Sequence, residues 1–170
     1  MPPLDVAALE RLAIRYVERF ATTRAKLVDY LVRKIRARGW DGAPADPREI
    51  AERMASLGYI DDLGFGAARA AALARRGLGR HRVAGALRQA GLSTEDAEAL
   101  APAIEERALD AAIAFARRRR IGPFAQEICG GEQRNKQLSA MLRAGHEMGI
   151  SRAIVLMAPG DDPNAYFETH

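Results

Sequence analysis

Residues 6–20 read VAALERLAIRYVERF, and their apolar side chains recur every three or four positions. Charged residues fill the positions between them, so the segment has one apolar side and one polar side. This is the pattern of an amphipathic helix that packs on a core through one face. The apolar stripe of this first helix consists of Leu9, Leu12, Ala13, Tyr16, Val17 and Phe20.

Two more helices follow within the next forty residues. Thr22 or Thr23 can cap the second helix, and Gly39 supplies a left-handed stop just after its last basic residue. The third helix opens with a capping box that has proline at the first helical position, and a glycine ends it. These signals are Asp46, Pro47, Glu49 and Gly58. Three helices of this kind form a natural unit.

The same outline recurs twice along the chain. The middle helix of each unit ends at a glycine followed by an apolar residue, at Gly39-Trp40, Gly91-Leu92 and Gly149-Ile150. We therefore predict an all-α protein built as an elongated, curved array of three tandem three-helix repeats. The predicted repeats span residues 5–60, 61–105 and 106–158. A C-terminal tail follows at 159–170, and we expect it to be frayed from Asp161 to His170.

Composition supports a helical protein and excludes an all-β fold. Alanine fills 34 positions, whereas Val, Ile and Thr together fill 20. No apolar run approaches the length of a membrane span, and the N-terminus lacks the features of a secretion signal. The single cysteine, Cys129, fits a reducing compartment. The sequence thus predicts a cytoplasmic protein.

Basic residues are segregated from acidic ones. Between Leu63 and Thr94 there are six arginines and no acid; from Glu95 to Asp110 there are six acids; Arg117 to Arg120 then form a basic run. An ordinary solvated helix face mixes signs to form pairs three and four residues apart, so segregation favours an anionic partner. The candidate contacts are Arg69, Arg75, Arg76, Arg80, Arg82, Arg88, Arg117, Arg118, Arg119 and Arg120.

The anionic partner is either nucleic-acid phosphate or an acidic protein surface. Arginine suits both, because its planar fork binds carboxylate and phosphate through two donors. Base stacking normally requires aromatic side chains among the basic residues, and the basic segment has none after Phe65. This scarcity argues against a module that binds nucleic acid alone.

Catalytic motifs are absent from the sequence. Three histidines and one cysteine cannot supply a zinc site of the usual ligand spacing, and no glycine-rich segment has the spacing of a phosphate-binding loop. A small helical hydrolase or transferase would need convergent polar groups, and the sequence offers no such set. We therefore predict a protein that is not an enzyme, with no catalytic residue, no metal and no cofactor.

Three short segments lie between residue 57 and Gly91: LGYIDD at 57–62 with Phe65 after it, RRGLG at 75–79, and RVAGAL at 82–87 before Gly91. In order and spacing, these segments resemble the RecX family of recombinase regulators. The resemblance extends from about Leu9 to Leu156. Two features depart from the family pattern: a glycine, Gly66, stands where alanine is usual, and the last helix is short.

The resemblance implies an all-helical protein of three tandem three-helix repeats that binds the RecA filament. Such a protein limits RecA ATPase and strand exchange and has no chemistry of its own. It would contact DNA directly or through RecA, act as a monomer and stay off membranes. The alternative is a non-specific helical nucleic-acid-binding protein without a RecA target.

Overall fold

The computed structural model describes residues 2–170, and over this range the chain is all-α, with ten helices and no β-strand. The all-α prediction is confirmed. No helix in this range is both long and apolar enough to cross a membrane. The helices are α1 Val6–Arg19, α2 Arg24–Arg38, α3 Pro47–Ser56, α4 Asp62–Arg75, α5 Arg80–Gln89, α6 Thr94–Glu106, α7 Ala108–Arg119, α8 Gly131–Arg143, α9 Met148–Leu156 and α10 Pro163–Thr169.

The chain divides into two compact units. The first contains residues 2–68 and 87–97, and the second contains residues 69–86 and 98–170. Helices α4, α5 and α6 each supply residues to both units. The three-repeat arrangement and its boundaries stay predictions. The predicted helix end at Gly149 is wrong: α8 ends at Arg143, the left-handed glycine after it is Gly145, and Gly149 lies in the first turn of α9.

In the first unit, α1, α2 and α3 surround a common apolar core. Polar side chains cap all three helices at the predicted starts: Asp5 accepts from the amide of Ala8 at 2.7 Å, Thr23 from Lys26 at 3.2 Å, and Asp46 from Arg48 at 2.9 Å. These bonds satisfy amide donors that have no partner within a helix. The buried core residues are Leu4, Leu9, Ala13, Leu27, Leu31, Ile50, Ala51, Met54 and Ile60.

The N-terminus of α2 is also tied to distant parts of the first unit. Besides capping α2, the Thr23 hydroxyl donates to the carbonyl of Ala90 at 2.5 Å. The buried carboxylate of Asp62 accepts from the amide of Arg24 at 2.9 Å and lies 3.5 Å from its guanidinium. Asp62 belongs to the LGYIDD segment, so this motif residue holds two helices together.

In the second unit, α7, α8, α9 and the 3-10 turn Gly122–Phe124 enclose one apolar cluster. Its buried members are Ala112, Ile113, Ala116, Ile121, Met141, Ile154 and Val155. A smaller cluster joins Ala70 and Leu73 of α4 to Val83 of α5. Both clusters lie in the second unit, which also contains the arginines from Arg69 to Arg82 and the Arg117 to Arg120 run.

The prediction of a frayed C-terminal tail is wrong. Residues 163–169 form α10, which begins with Pro163 at its first position and is capped by Asp162 through the amide of Asn164 at 2.9 Å. Phe167 packs against the cluster around Met141. A cap, a proline that suits the first turn and one apolar anchor suffice to order this short helix.

Candidate binding surface

The excess positive charge of the chain belongs to its second unit. The first unit has 12 basic and 12 acidic residues, whereas the second has 14 basic and 10 acidic residues, which leaves a formal charge of +4. Nine of the ten predicted contact arginines lie in the second unit, and Arg88 lies in the first. All ten are exposed except Arg80, which is half-buried. The second unit therefore carries both the excess positive charge and most of the predicted contact arginines.

The turn between α4 and α5 packs directly on the turn between α8 and α9. The amide of Gly79 donates to the carbonyl of Ala144 at 2.8 Å, and the amide of His81 donates to that of Gly145 at 3.2 Å. A methyl group on Gly79 would overlap the Gly145 carbonyl. Only glycine permits this approach of two main chains. The contact fixes the start of α5 against the end of α8.

His146 adds a buried side-chain bond to this contact. Its Nε2 atom lies 2.9 Å from the carbonyl of Gly77, and its ring centre lies 5.4 Å from that of Phe115 on α7. Because a carbonyl can only accept, Nε2 carries the proton. Burial lowers the pKa of His146 below 6.5, and the bond to Gly77 opposes this shift. A neutral imidazole thus links the α4–α5 turn to α7.

Arg118 joins the two basic segments. Its guanidinium donates to the carbonyl of Arg75 at 2.8 Å and also to that of Arg76. These carbonyls lie at the C-terminal end of α4, where a cation also interacts favourably with the helix dipole. Arg118 therefore serves as a cap, and it holds the Arg117 to Arg120 run beside Arg75 and Arg76.

Two further arginines from the predicted set also have partners in the structure. Arg82 donates through Nε to the carbonyl of Arg143 at 2.7 Å. Arg80 lies 3.0 Å from Glu105 and 3.5 Å from Glu147, so two carboxylates offset its charge. These contacts position α5, and they leave Arg80 the least available of the ten for an outside anion. No signal in the sequence indicates that the main-chain carbonyl of Arg143 would be the partner of Arg82.

Two arginines of the basic run lie over aromatic rings. The guanidinium of Arg117 lies 5.1 Å from the ring centre of Phe124, and that of Arg119 lies 5.6 Å from that of Phe115. This packing restricts their motion and leaves their N–H groups free to bind an anion. The four-residue spacing of Phe115 and Arg119 on a helix was the available signal for one of these pairs.

The remaining arginines project without an acidic partner. Within the described part of the second unit, Arg69, Arg75, Arg76 and Arg120 are exposed and form no ion pair. Arg69 lies on α4, Arg75 is the last residue of α4, and Arg76 follows it in the turn. We name the following set the exposed basic surface: Arg69, Arg75, Arg76, Arg117, Arg119 and Arg120.

No metal-binding group is found in residues 2–170: nowhere do three or more His, Cys, Asp or Glu side chains come together. The half-buried thiol of Cys129 accepts from the amide nitrogen of Gln137 at 3.4 Å.

Two proteins and one solved structure that are similar to this chain are all described as regulatory protein RecX. A regulatory protein RecX of Myxococcus xanthus is 30% identical over 156 residues, which cover 86% of this chain and 83% of the relative. One of Agrobacterium fabrum is 28% identical over 155 residues, which cover 89% and 80%. A crystal structure of regulatory protein RecX aligns with a TM-score of 0.61 at 19% identity, over 87% of this chain and 72% of that one. No protein-family model matches the chain.

Proposed function

The chain belongs to the RecX family of regulatory proteins, and we propose that it binds the RecA nucleoprotein filament and inhibits or modulates RecA ATPase and strand exchange in recombinational DNA repair. The observation that carries this proposal is the exposed basic surface on a unit with a formal charge of +4. A filament of protein on DNA presents phosphates and surface carboxylates to such a surface. We place this activity in the cytoplasm and assign it to a monomer.

Binding through this surface needs little rearrangement of the protein. Arg118, Arg82 and His146 bond to main-chain carbonyls, so they fix the ends of α4 and α8 before any partner arrives. Preorganised donors lose less conformational entropy on binding. A rigid body anchored on the filament would hinder the movements that RecA protomers make during ATP hydrolysis. Regulation then follows from occupancy, without chemistry by the bound protein.

The seating of Arg117 and Arg119 on aromatic rings favours a second candidate, a non-specific nucleic-acid-binding protein. A guanidinium that lies over one aromatic ring can present its other face to a nucleobase. Such a protein would bind DNA equally well with and without RecA. Its affinity would fall steeply with salt in both cases.

Co-sedimentation separates the two candidates. The protein is mixed with RecA filaments on single-stranded DNA, with RecA alone, and with the same DNA alone, at several salt concentrations. We expect more protein in the pellet with filaments than with either component alone. Binding to DNA that RecA does not increase would overturn the RecA proposal and support the alternative.

A further inference from the structure

A groove of about 420 Å³ lies between the end of α7, the loop after the 3-10 turn, and α8. Arg119, Arg120 and Lys136 line it, against a single carboxylate, Glu127. Its volume falls in the range of small-ligand sites, roughly 300–1,000 Å³. The excess of positive charge suits a ligand that carries a phosphate.

The wall of the groove contains a buried amide with unused hydrogen-bonding capacity. Gln137 is 8% exposed, and its Oε1 atom is buried without a partner in the described structure. Its Nε2 atom donates only to the Cys129 sulfur, a weak acceptor, at 3.4 Å. Buried polar groups normally have partners, so an unpaired one at the wall of a groove points to a ligand. A side-chain amide offers one donor and one acceptor side by side, which matches N7 and N6 of adenine.

The cationic side chains around this amide are held in different ways. Arg119 is seated on the ring of Phe115, and Arg120 ends α7 in the left-handed conformation with φ of 55°. Residues other than glycine rarely adopt this backbone conformation. Lys136 pairs with Glu132 one helical turn before it at 2.8 Å, where both side chains are exposed. An exposed pair of this kind is weak, and Lys136 can exchange it for a phosphate.

We propose that this groove binds one nucleotide, with its phosphate on Arg119 and Arg120 and an adenine edge on Gln137. This inference rests on the proposed function, because we take the nucleotide to be part of the single-stranded DNA in the RecA filament. The groove would recognise a phosphate and an adenine base that are linked through a sugar. A free adenine nucleotide supplies the same chemistry, and the experiment has a separate arm for it.

The test compares the protein with Gln137→Leu, which removes the amide and leaves the charge unchanged. Fluorescence anisotropy measures binding of labelled oligo(dA) and oligo(dT) in the absence of RecA. We expect the unmodified protein to prefer oligo(dA) by about tenfold, the discrimination of one good bidentate base contact. Gln137→Leu should lose this preference and keep its affinity for oligo(dT). Gln89→Leu, at an exposed position on α5, is the matched control and should behave like the unmodified protein.

Competition identifies the source of the ligand. Adenosine monophosphate that displaces oligo(dA) at micromolar concentration would assign the groove to a free nucleotide, whereas displacement only by a strand would assign it to a polymer. Equal binding of oligo(dA) and oligo(dT) by the unmodified protein would overturn the proposal, as would an unchanged preference in Gln137→Leu. Thermal unfolding confirms that Gln137→Leu is folded. RecA co-sedimentation is scored separately, so failure of the groove does not imply failure of the proposed function.

Discussion

Gly79 and Gly145 lie against each other through their main chains, at the contact between the α4–α5 turn and the α8–α9 turn. A methyl group on Gly79 would meet the carbonyl of Gly145, and one on Gly145 would lie 2.6 Å from the amide nitrogen of Arg82. Neither obstacle is the end of a flexible side chain that could move aside. The approach of two turns from distant parts of the sequence therefore depends on two glycines.

Gly79→Ala should lower the free energy of unfolding by about 2 kcal/mol, because it overpacks a contact between two main chains. Urea denaturation monitored by circular dichroism measures this loss. Gly149→Ala is the control, since Gly149 lies in the first turn of α9 with open space around it. That control should be neutral or slightly stabilising. Equal stabilities of the two variants would contradict the packing described for Gly79.

Gly91 and Gly58 allow backbone strain to be separated from steric overlap. Both are left-handed, with φ of +80° and +85°, but a methyl group on Gly91 would overlap Ala25, whereas one on Gly58 meets nothing within 4 Å. Gly58→Ala should cost about 1–2 kcal/mol, the cost of the left-handed backbone alone. Gly91→Ala should cost clearly more, and denaturant midpoints of the two proteins test this order. A smaller loss at Gly91 would rule out the contact between α2 and this turn.

The two acids of the LGYIDD segment have different roles. Asp62 is buried and accepts from the amide of Arg24 at 2.9 Å, whereas exposed Asp61 caps the first turn of α4 through the amide of Gly64 at 2.9 Å. Asp62→Ala removes the acceptor of the partly buried Arg24 amide and should cost about 1–3 kcal/mol. Asp62→Asn should cost less, because its amide oxygen can still accept. Thermal unfolding should place Asp61→Ala nearest the unmodified protein, and a reversed order would contradict these roles.

His146 predicts a loss of stability in acid. Burial holds its pKa below 6.5, so the unfolded chain takes up a proton more readily than the folded chain. The stabilisation from neutral His146 is complete above about pH 6.5 and declines as the pH falls below that value. His146→Gln keeps an N–H donor for Gly77 and removes the titration, so its melting temperature should depend less on pH. His81→Gln, at an exposed position, is the control and should follow the unmodified protein.

The helices were largely predictable because their signals are local. Caps such as Thr23 and Asp46 act within three residues, and apolar spacing within one turn reports burial directly. The tail was misjudged because the anchor of α10, Phe167, packs on a cluster formed by distant helices. Its buried face could not be recognised without knowing those helices.

The basic segments could be located in the sequence, but the environments of their arginines could not be predicted from it. The carbonyl of Arg75, which Arg118 caps, is 43 residues away, and that of Arg143, which Arg82 contacts, is 61 residues away. Charge segregation reports that a segment is basic and says nothing of which guanidinium groups are used internally. The division into structural arginines and an exposed basic surface depends on tertiary contacts.

The most direct test of the central claim is inhibition of RecA ATPase on single-stranded DNA. Arg69→Ala/Arg75→Ala/Arg76→Ala removes three exposed charges of the second unit, and Arg11→Ala/Arg15→Ala/Arg33→Ala removes three exposed charges of the neutral first unit. The first variant should need about tenfold or more protein for half-maximal inhibition and should show weaker salt dependence, because three screened contacts are lost. The second should inhibit like the unmodified protein. Equal inhibition by the two variants, or no inhibition by the unmodified protein at stoichiometric amounts, would contradict the account.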